Sequence, residues 1–439
     1  MKLETETGTE QRLLLALLGQ RELQDGAGLL SLLRQVNWQR FLEIASQDLY
    51  PYLALCLEPY VGEVETPPEW ELLFRARRLT AVHNLGMCYE LGKVIEALNE
   101  CDIPALVLKG IILAYTTYPD PSLRPMSDLD LLVPPEKKEK ALLVLRKLGF
   151  EYPETAPAWH RVLSRLTPEQ EYAPPLRLRD SAILLEVHSQ LECGEPLFPT
   201  PVQEFWARSI TVDLNGLRVR ALCPEDFLFH LCLHQSRYHR FEKGLLPLID
   251  LRLLLDSRKD WRWPGIAARS LRYGCATWMY LTLKAACELA GAQVSNTFFQ
   301  ALPQPRNLSE LQCLVEEQIW SARSQRATPP FVPSLLAEPS WLGRARMLFA
   351  RLGLARRDEV GSEMILAGLI QSAQLFHRRL LATLRNRIPR YFRAWKNGQL
   401  KPDAIRRAAQ LVRNANTLLR LVVKQETGLV ADKDRVDQE

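Results

Sequence analysis

Two aspartates, Asp128 and Asp130, interrupt an apolar segment that ends at Val133. In an extended strand alternate side chains leave the same face, so both carboxylates project together. Two such carboxylates repel each other, and a Mg²⁺ ion bound together with substrate phosphates relieves that repulsion. The pair therefore predicts a site for a metal and a nucleotide. A solvated strand end with the same Asp-x-Asp pattern is the alternative.

A glycine turn stands upstream of the aspartates. Leu106–Leu108 is a short apolar run typical of a strand, and Lys109 and Gly110 end it before a short helix predicted over residues 111–118. Glycine allows a sharp backbone turn or close approach to a ligand. Backbone N–H groups at such a turn can bind phosphate oxygens.

A third carboxylate, Glu186, lies within a strand predicted over residues 183–188. A carboxylate in the middle of an apolar strand needs a partner, because burying an unpaired charge is costly. His188 shares the face of Glu186 and is either a hydrogen-bonding support or a catalytic group. Neither carboxylate strand carries a nearby lysine or arginine, so we expect the neutralising cation to come from solution. An ordinary buried salt bridge at Glu186 is the alternative.

Two histidines, His230 and His234, are spaced i and i+4 on a helix predicted to begin at Pro224, so they share one helix face. This spacing can bind zinc, but no glutamate separates the two histidines and no cysteine pair is near. Substrate contact, organisation of the site and simple packing remain open as their roles.

The sequence around these residues resembles a known family. The segment LKG at 108–110, followed by RPMSDLDLLV at 124–133, is similar to the uncharacterised nucleotidyltransferases, a branch of the DNA polymerase β superfamily often encoded in bacterial biosynthetic clusters. Further matches are ILLEVHSQL at 183–191, LFHLCLHQSRYH at 228–239 and LIDLRLLL at 248–255. The resemblance covers residues 70–260.

The resemblance implies nucleotidyl transfer from a nucleoside triphosphate (NTP), with two Mg²⁺ ions held by Asp128, Asp130 and Glu186. It departs from the superfamily pattern because Ile111 follows Gly110 where glycine or serine is usual, and Asp128 lies eighteen positions after Gly110. Phosphate binding by a Gly-Ser turn is therefore not carried over. We expect the nucleotide instead to contact Lys109, Gly110, Arg124 and Ser127.

The composition is typical of a globular protein of two or three domains. We expect an α+β fold in which a small mixed sheet lies between helical regions. The expected domains are an N-terminal helical region at 1–66, the nucleotidyltransferase-like core at 67–220, a helical substrate-pocket domain at 221–340 and a basic helical region at 341–439. Nine scattered cysteines without a CxxC pair indicate reduced thiols, and the polar first residues indicate a cytoplasmic protein.

The positive charge is concentrated near the C-terminus. Residues 341–424 contain 18 Lys or Arg and four acidic residues, whereas the whole chain has a net charge of only +5. Apolar and basic residues alternate there, which suits docking to an acidic surface, a membrane surface or the phosphates of a nucleic acid.

Three function classes remain open. The first is an enzyme that transfers a nucleotide to a hydroxyl or phosphate of a small-molecule or biosynthetic acceptor. The second is a catalytically inactive scaffold that binds nucleotide, and the third is a nucleic-acid-binding adaptor led by residues 341–424.

Overall fold

A seven-stranded mixed sheet lies at the centre of the fold. The structure is a computed structural model that describes residues 8–19, 26–152, 175–191, 202–321, 409–410, 412–423 and 425. The strands are β1 Leu106–Leu108, β2 Asp128–Leu132, β3 Phe150–Glu151, β4 Leu176–Leu178, β5 Leu184–His188, β6 Ile210–Leu214 and β7 Leu217–Ala221.

The strands lie in the order β3-β4-β5-β2-β1-β7-β6. The pairs β2–β5 and β1–β7 are parallel, and the other neighbours are antiparallel. β1 is fully buried, so its apolar run belongs to the interior of the sheet. The predicted α+β class with a mixed sheet is confirmed.

Helices precede the sheet along the chain. They are α1 Thr9–Leu17, α2 Gly26–Gln35, α3 Trp38–Ile44, α4 Tyr50–Leu57 and the long α5 Glu69–Glu100. α5 begins directly after Pro67 and Pro68, since proline is well tolerated where a helix starts. Its buried side chains recur at helical spacing from Trp70 to Leu98 and pack one stripe of the helix against the interior.

α6 Gly110–Thr116 connects β1 to β2, and α7 Lys138–Lys147 lies between β2 and β3 along the chain. The helices after the fifth strand are α8 Val202–Arg208, α9 Pro224–Leu233, α10 Leu246–Asp256, α11 Trp263–Arg272, α12 Ala276–Ala290, α13 Asn296–Ala301 and α14 Leu308–Ser321. A π-helical turn, His234–Tyr238, continues α9.

The sequence reasoning missed four strands. No strand was predicted between β2 and β5, but β3 and β4 pair with each other there. The β6–β7 hairpin was not anticipated, although Asn215-Gly216 at its tip is a recognisable signal. Both residues have positive φ, 55° and 94°, as the favoured two-residue hairpin turn requires.

The chain divides into two compact units, the first comprising Met1–Val315 with Val422–Glu439 and the second Glu316–Leu421. In the second unit Asn414 donates a hydrogen bond of 2.7 Å to the carboxylate of Glu317. Most of the basic segment 341–424 lies outside the described residues, so its expected docking, membrane or nucleic-acid role stays a prediction.

None of the helices in the described ranges combines the length and the apolar character needed to cross a membrane.

Candidate functional site

The parallel pairing of β2 with β5 brings the predicted carboxylates together. Its register aligns Asp130 with Glu186 and Leu132 with His188. Among the described residues, one group of potential metal ligands has all its ligand atoms within 4.8 Å of one another: Asp130, Glu186 and His188. Asp128, expected as a metal ligand together with Asp130 and Glu186, is not part of this group and lies opposite Leu184. The structure therefore includes His188 among the potential metal ligands, whereas the sequence analysis expected a supporting or catalytic role for it.

The expectation that the chain supplies no cation to this cluster is wrong. The ammonium of Lys109 lies 2.7 Å from Asp130 Oδ1. His188 Nε2 contacts the same oxygen at 2.9 Å and lies 3.5 Å from Glu186 Oε2. Lys109 is not on either carboxylate strand; it follows β1, which pairs antiparallel with β2 and places Leu108 beside Asp130. A search limited to neighbouring positions on the two strands could not find it.

The cluster is electrostatically asymmetric. Burial alone would raise the pKa of Asp130, but the Lys109 ammonium and the His188 hydrogen bond outweigh burial and lower it. Burial, and then the charge of Asp130, raise the pKa of both Asp128 and Glu186. Although burial opposes the charge of Lys109, the carboxylates raise its pKa, so it remains a cation. The negative charge of Asp130 is thus compensated by Lys109 and His188. Asp128 and Glu186 are repelled by that charge.

Lys109 occupies a strained backbone position between β1 and α6. Its φ of 54° and ψ of −126° lie outside the helical and extended regions favoured by residues with a side chain. Such conformations persist where surrounding contacts impose them, and they concentrate at functional sites. The ion pair with Asp130 is one such contact.

Gly110 accommodates a neighbouring arginine. A Cβ atom at Gly110 would lie 2.3 Å from Arg124 Nη1 and 3.2 Å from Met126 Cβ. Arg124 is itself held by the buried Asp250 on α10, with Nη2 3.0 Å from Oδ2 and Nε 3.3 Å from Oδ1. Tyr118 donates to the same carboxylate at 2.8 Å. The absence of a side chain at Gly110 is therefore explained by packing within the chain.

The loop between α6 and β2 is fixed by α5. The buried Asn84 donates through Nδ2 to the carbonyls of Pro121 and Arg124, at 2.7 and 2.9 Å. His83 Nε2 lies 3.0 Å from the carbonyl oxygen of Met126. These contacts set the start of β2 and hence the position of Asp128.

A cavity of about 640 Å³ opens above the cluster. This volume suits a small-molecule ligand. Every residue that the sequence analysis selected as a candidate lines this cavity: Lys109, Gly110, Arg124, Ser127, Asp128, Asp130, Glu186, His188, His230 and His234. Their roles toward a nucleotide stay predictions. Arg124 in particular has its guanidinium bound to Asp250.

Histidines from α9 and its π-helical continuation form another part of the cavity wall. His239 Nε2 and His234 Nε2 are 3.2 Å apart. Burial, followed by the charge of Lys109, lowers the pKa of His230 to about 3, and burial also lowers the pKa of His239 to about 3. The buried Nε2 of His230 has no hydrogen-bond partner among the described residues. Neutral imidazoles therefore face the cavity.

Sequence reasoning missed several cavity residues. Asp250 and Asp48 were not selected as candidates, although both line the cavity. Lys243, on the turn between the π-helical segment and α10, also lines the cavity. No local motif distinguishes these residues. Lys243 does lie between the two stretches that resemble the family, 228–239 and 248–255, and this position is the one sequence signal for it.

Comparison with known proteins agrees with the geometry. A sequence model of a protein family described as uncharacterised nucleotidyltransferase matches residues 34–291, which is more than half of the chain. No curated protein and no solved structure gives a significant match. The matched range includes β1 to β7 and α10, and so contains every cavity-lining residue named above.

Proposed function

The chain belongs to the uncharacterised nucleotidyltransferase family, and we propose that it transfers a nucleoside monophosphate from an NTP to a hydroxyl or phosphate of a small-molecule acceptor, with Mg²⁺ as the metal. The observation that carries this proposal is the cluster of Asp130, Glu186 and His188 at the base of the cavity. Nucleotidyl transfer needs a site for a cation bound to phosphates, and adjacent carboxylates supply such a site.

The donor set fits a divalent cation. Asp130 and Glu186 offer carboxylate oxygens, which Mg²⁺ prefers, and Asp128 can add a third carboxylate at the edge of the group. The imidazole of His188 is a ligand more typical of transition metals such as Zn²⁺ or Fe²⁺. The raised pKa values of Asp128 and Glu186 reflect burial and mutual repulsion that a cation would relieve. When bound, the metal would activate the acceptor oxygen and stabilise the leaving pyrophosphate.

The residues around the cluster then have distinct tasks. Lys109 compensates Asp130 in the free protein, and its ammonium can turn to a phosphate oxygen once a cation takes over that compensation. His188 orients Asp130 through the hydrogen bond at 2.9 Å. Arg124 acts through its ion pair with Asp250 and positions the Gly110 turn. The neutral histidines His230 and His234 offer hydrogen bonds to the acceptor.

A scaffold that binds nucleotide without turnover is the second candidate. The observation that favours it is the Lys109–Asp130 ion pair, which compensates the most buried carboxylate of the cluster without any metal. The scaffold and the enzyme both bind an NTP, but only the enzyme releases pyrophosphate.

The experiment is a screen for pyrophosphate release with each of the four NTPs, Mg²⁺ and pooled small-molecule acceptors. We expect one NTP and one acceptor pool to give release that EDTA abolishes. The variant Asp130→Asn should lose this activity and remain folded. Asp180→Asn, which changes an exposed aspartate away from the cavity, is the matched control and should retain activity. Metal-dependent turnover by Asp130→Asn, or NTP binding without any release, would refute the enzymatic proposal.

A further inference from the structure

We infer that Lys243 is the residue that binds the triphosphate of the NTP, presented to the cavity by the rigid turn at residues 239–245. This inference rests on the proposed function and names a binding contact that the sequence motifs did not suggest. It arises from comparing the lysine and arginine side chains that line the cavity among the described residues, which are Lys109, Arg124 and Lys243.

The first two cations are already paired. Lys109 lies 2.7 Å from Asp130, and Arg124 lies 3.0 Å from Asp250. Both of those aspartates are buried, with side chains only 3% exposed, so releasing either cation leaves a carboxylate uncompensated. Lys109 can turn to a phosphate only after a metal has replaced it at Asp130, and a triphosphate that recruited Arg124 would have to oppose this cost.

Lys243 differs in this respect. It is exposed, lines the cavity and makes no ion pair within the part of the chain that the structure describes. Its charge reaches both Asp128 and His234: burial raises the pKa of Asp128 and Lys243 opposes that rise, whereas burial lowers the pKa of His234 and Lys243 adds to that fall. Its ammonium is therefore available near the carboxylate cluster, where the phosphates of a metal-bound NTP would lie.

The backbone that carries Lys243 is held in place. Arg240 and Phe241 both have positive φ, 47° and 64°, which side chains rarely adopt in succession. Phe241 is fully buried, and its N–H donates to the carbonyl of Gln235 at 2.8 Å. The buried side chain of Gln235 in turn donates to the carbonyl of Gly244 at 3.2 Å. Strained turns held by such contacts are typical of ligand clamps.

A second observation indicates that this wall receives a ligand. The Nε2 atom of His230, a residue 5% exposed, has no hydrogen-bond partner among the described residues, although His230 lines the same cavity. Buried polar atoms are normally paired, so an orphaned one at a cavity wall indicates a partner that arrives with the ligand.

The test is calorimetric titration of wild type and Lys243→Gln with the α,β-methylene analogues of the four NTPs and with the corresponding monophosphates, all in Mg²⁺. For the triphosphate that wild type binds, we expect Lys243→Gln to raise the Kd about 10- to 100-fold, which is the scale of a lost charge-assisted hydrogen bond. The Kd of the monophosphate should change less. Lys243→Arg should recover most of the affinity, because it keeps the charge.

The control is Lys259→Gln, which removes an exposed lysine that does not line the cavity. It should leave every Kd unchanged. An unaltered triphosphate Kd in Lys243→Gln, or an equal loss for monophosphate and triphosphate, would overturn the role of Lys243 while leaving the proposed function intact. If wild type binds none of the nucleotides, the proposed function and this inference both fail.

Discussion

The ion pair between Lys109 and Asp130 should affect both the stability of the fold and the binding of a metal. We consider the variant Lys109→Met, which keeps most of the side-chain volume and removes the ammonium. Asp130 is 3% exposed and Lys109 is 16% exposed, so the variant leaves a buried carboxylate without its main counter-charge. Removing one partner of a buried pair costs about 3–5 kcal/mol. His188 remains 2.9 Å from Asp130 Oδ1, so we expect the lower end, about 3 kcal/mol.

A divalent cation should reverse this loss. Since Lys109 contacts an oxygen of the proposed metal-binding group, the ammonium and the metal compete for Asp130. Without Lys109 the metal binds more tightly, and a cation at 100 times its Kd stabilises the folded state by about 2.7 kcal/mol. Mg²⁺ should therefore restore most of the stability of Lys109→Met and raise that of wild type less.

The assay is urea unfolding followed by circular dichroism, in EDTA and in excess Mg²⁺, for wild type, Lys109→Met and the exposed-site control Lys259→Met. In EDTA only Lys109→Met should show a large decrease in the free energy of unfolding. If Lys109→Met is as stable as wild type in EDTA, the ion pair does not compensate Asp130. If Mg²⁺ stabilises wild type and Lys109→Met equally, Lys109 does not compete with the metal.

The remaining predictions concern three other features. Gly110→Ala should destabilise the fold by about 1–3 kcal/mol in thermal unfolding, because its Cβ would lie 2.3 Å from the ion-paired Arg124. Gly86→Ala, where a Cβ meets nothing within 4 Å, should be neutral or stabilising, and equal effects of the two changes would contradict the packing explanation. The lowered pKa of His230 means that the unfolded state binds a proton that the folded state excludes, so the free energy of unfolding should fall as the pH falls from about 6.5 to about 3. The contribution of this group is up to about 5 kcal/mol. A pH series of urea melts on His230→Gln should have a shallower slope than wild type, and an unchanged slope would exclude His230 as its source. Deleting residues 341–439 should cause aggregation if this segment docks onto the rest of the chain, and a monodisperse truncated protein in light scattering would count against docking.

Several features of the fold could be predicted from sequence because they depend on local geometry. The period of two along a strand places Asp128 and Asp130 on one face, and the predicted strands of the site agree with β1, β2 and β5 to within one residue. The prolines Pro67 and Pro68 mark the start of the long helix from Glu69 to Glu100, because proline is well tolerated in the first turn of a helix. Glu186 could be selected because a carboxylate in an apolar strand needs a partner within the fold.

Only the tertiary structure decided which charges compensate one another. Arg124 and Asp250 are 126 positions apart in the sequence, and Lys109 reaches Asp130 only because β1 pairs with β2. Ion pairs depend on distances of a few ångströms between side chains on different elements, and the sequence pattern of one element does not contain those distances. The same limit explains why the sequence analysis did not select Lys243. A cation without an ion pair can be recognised only once the partners of the other cations are known.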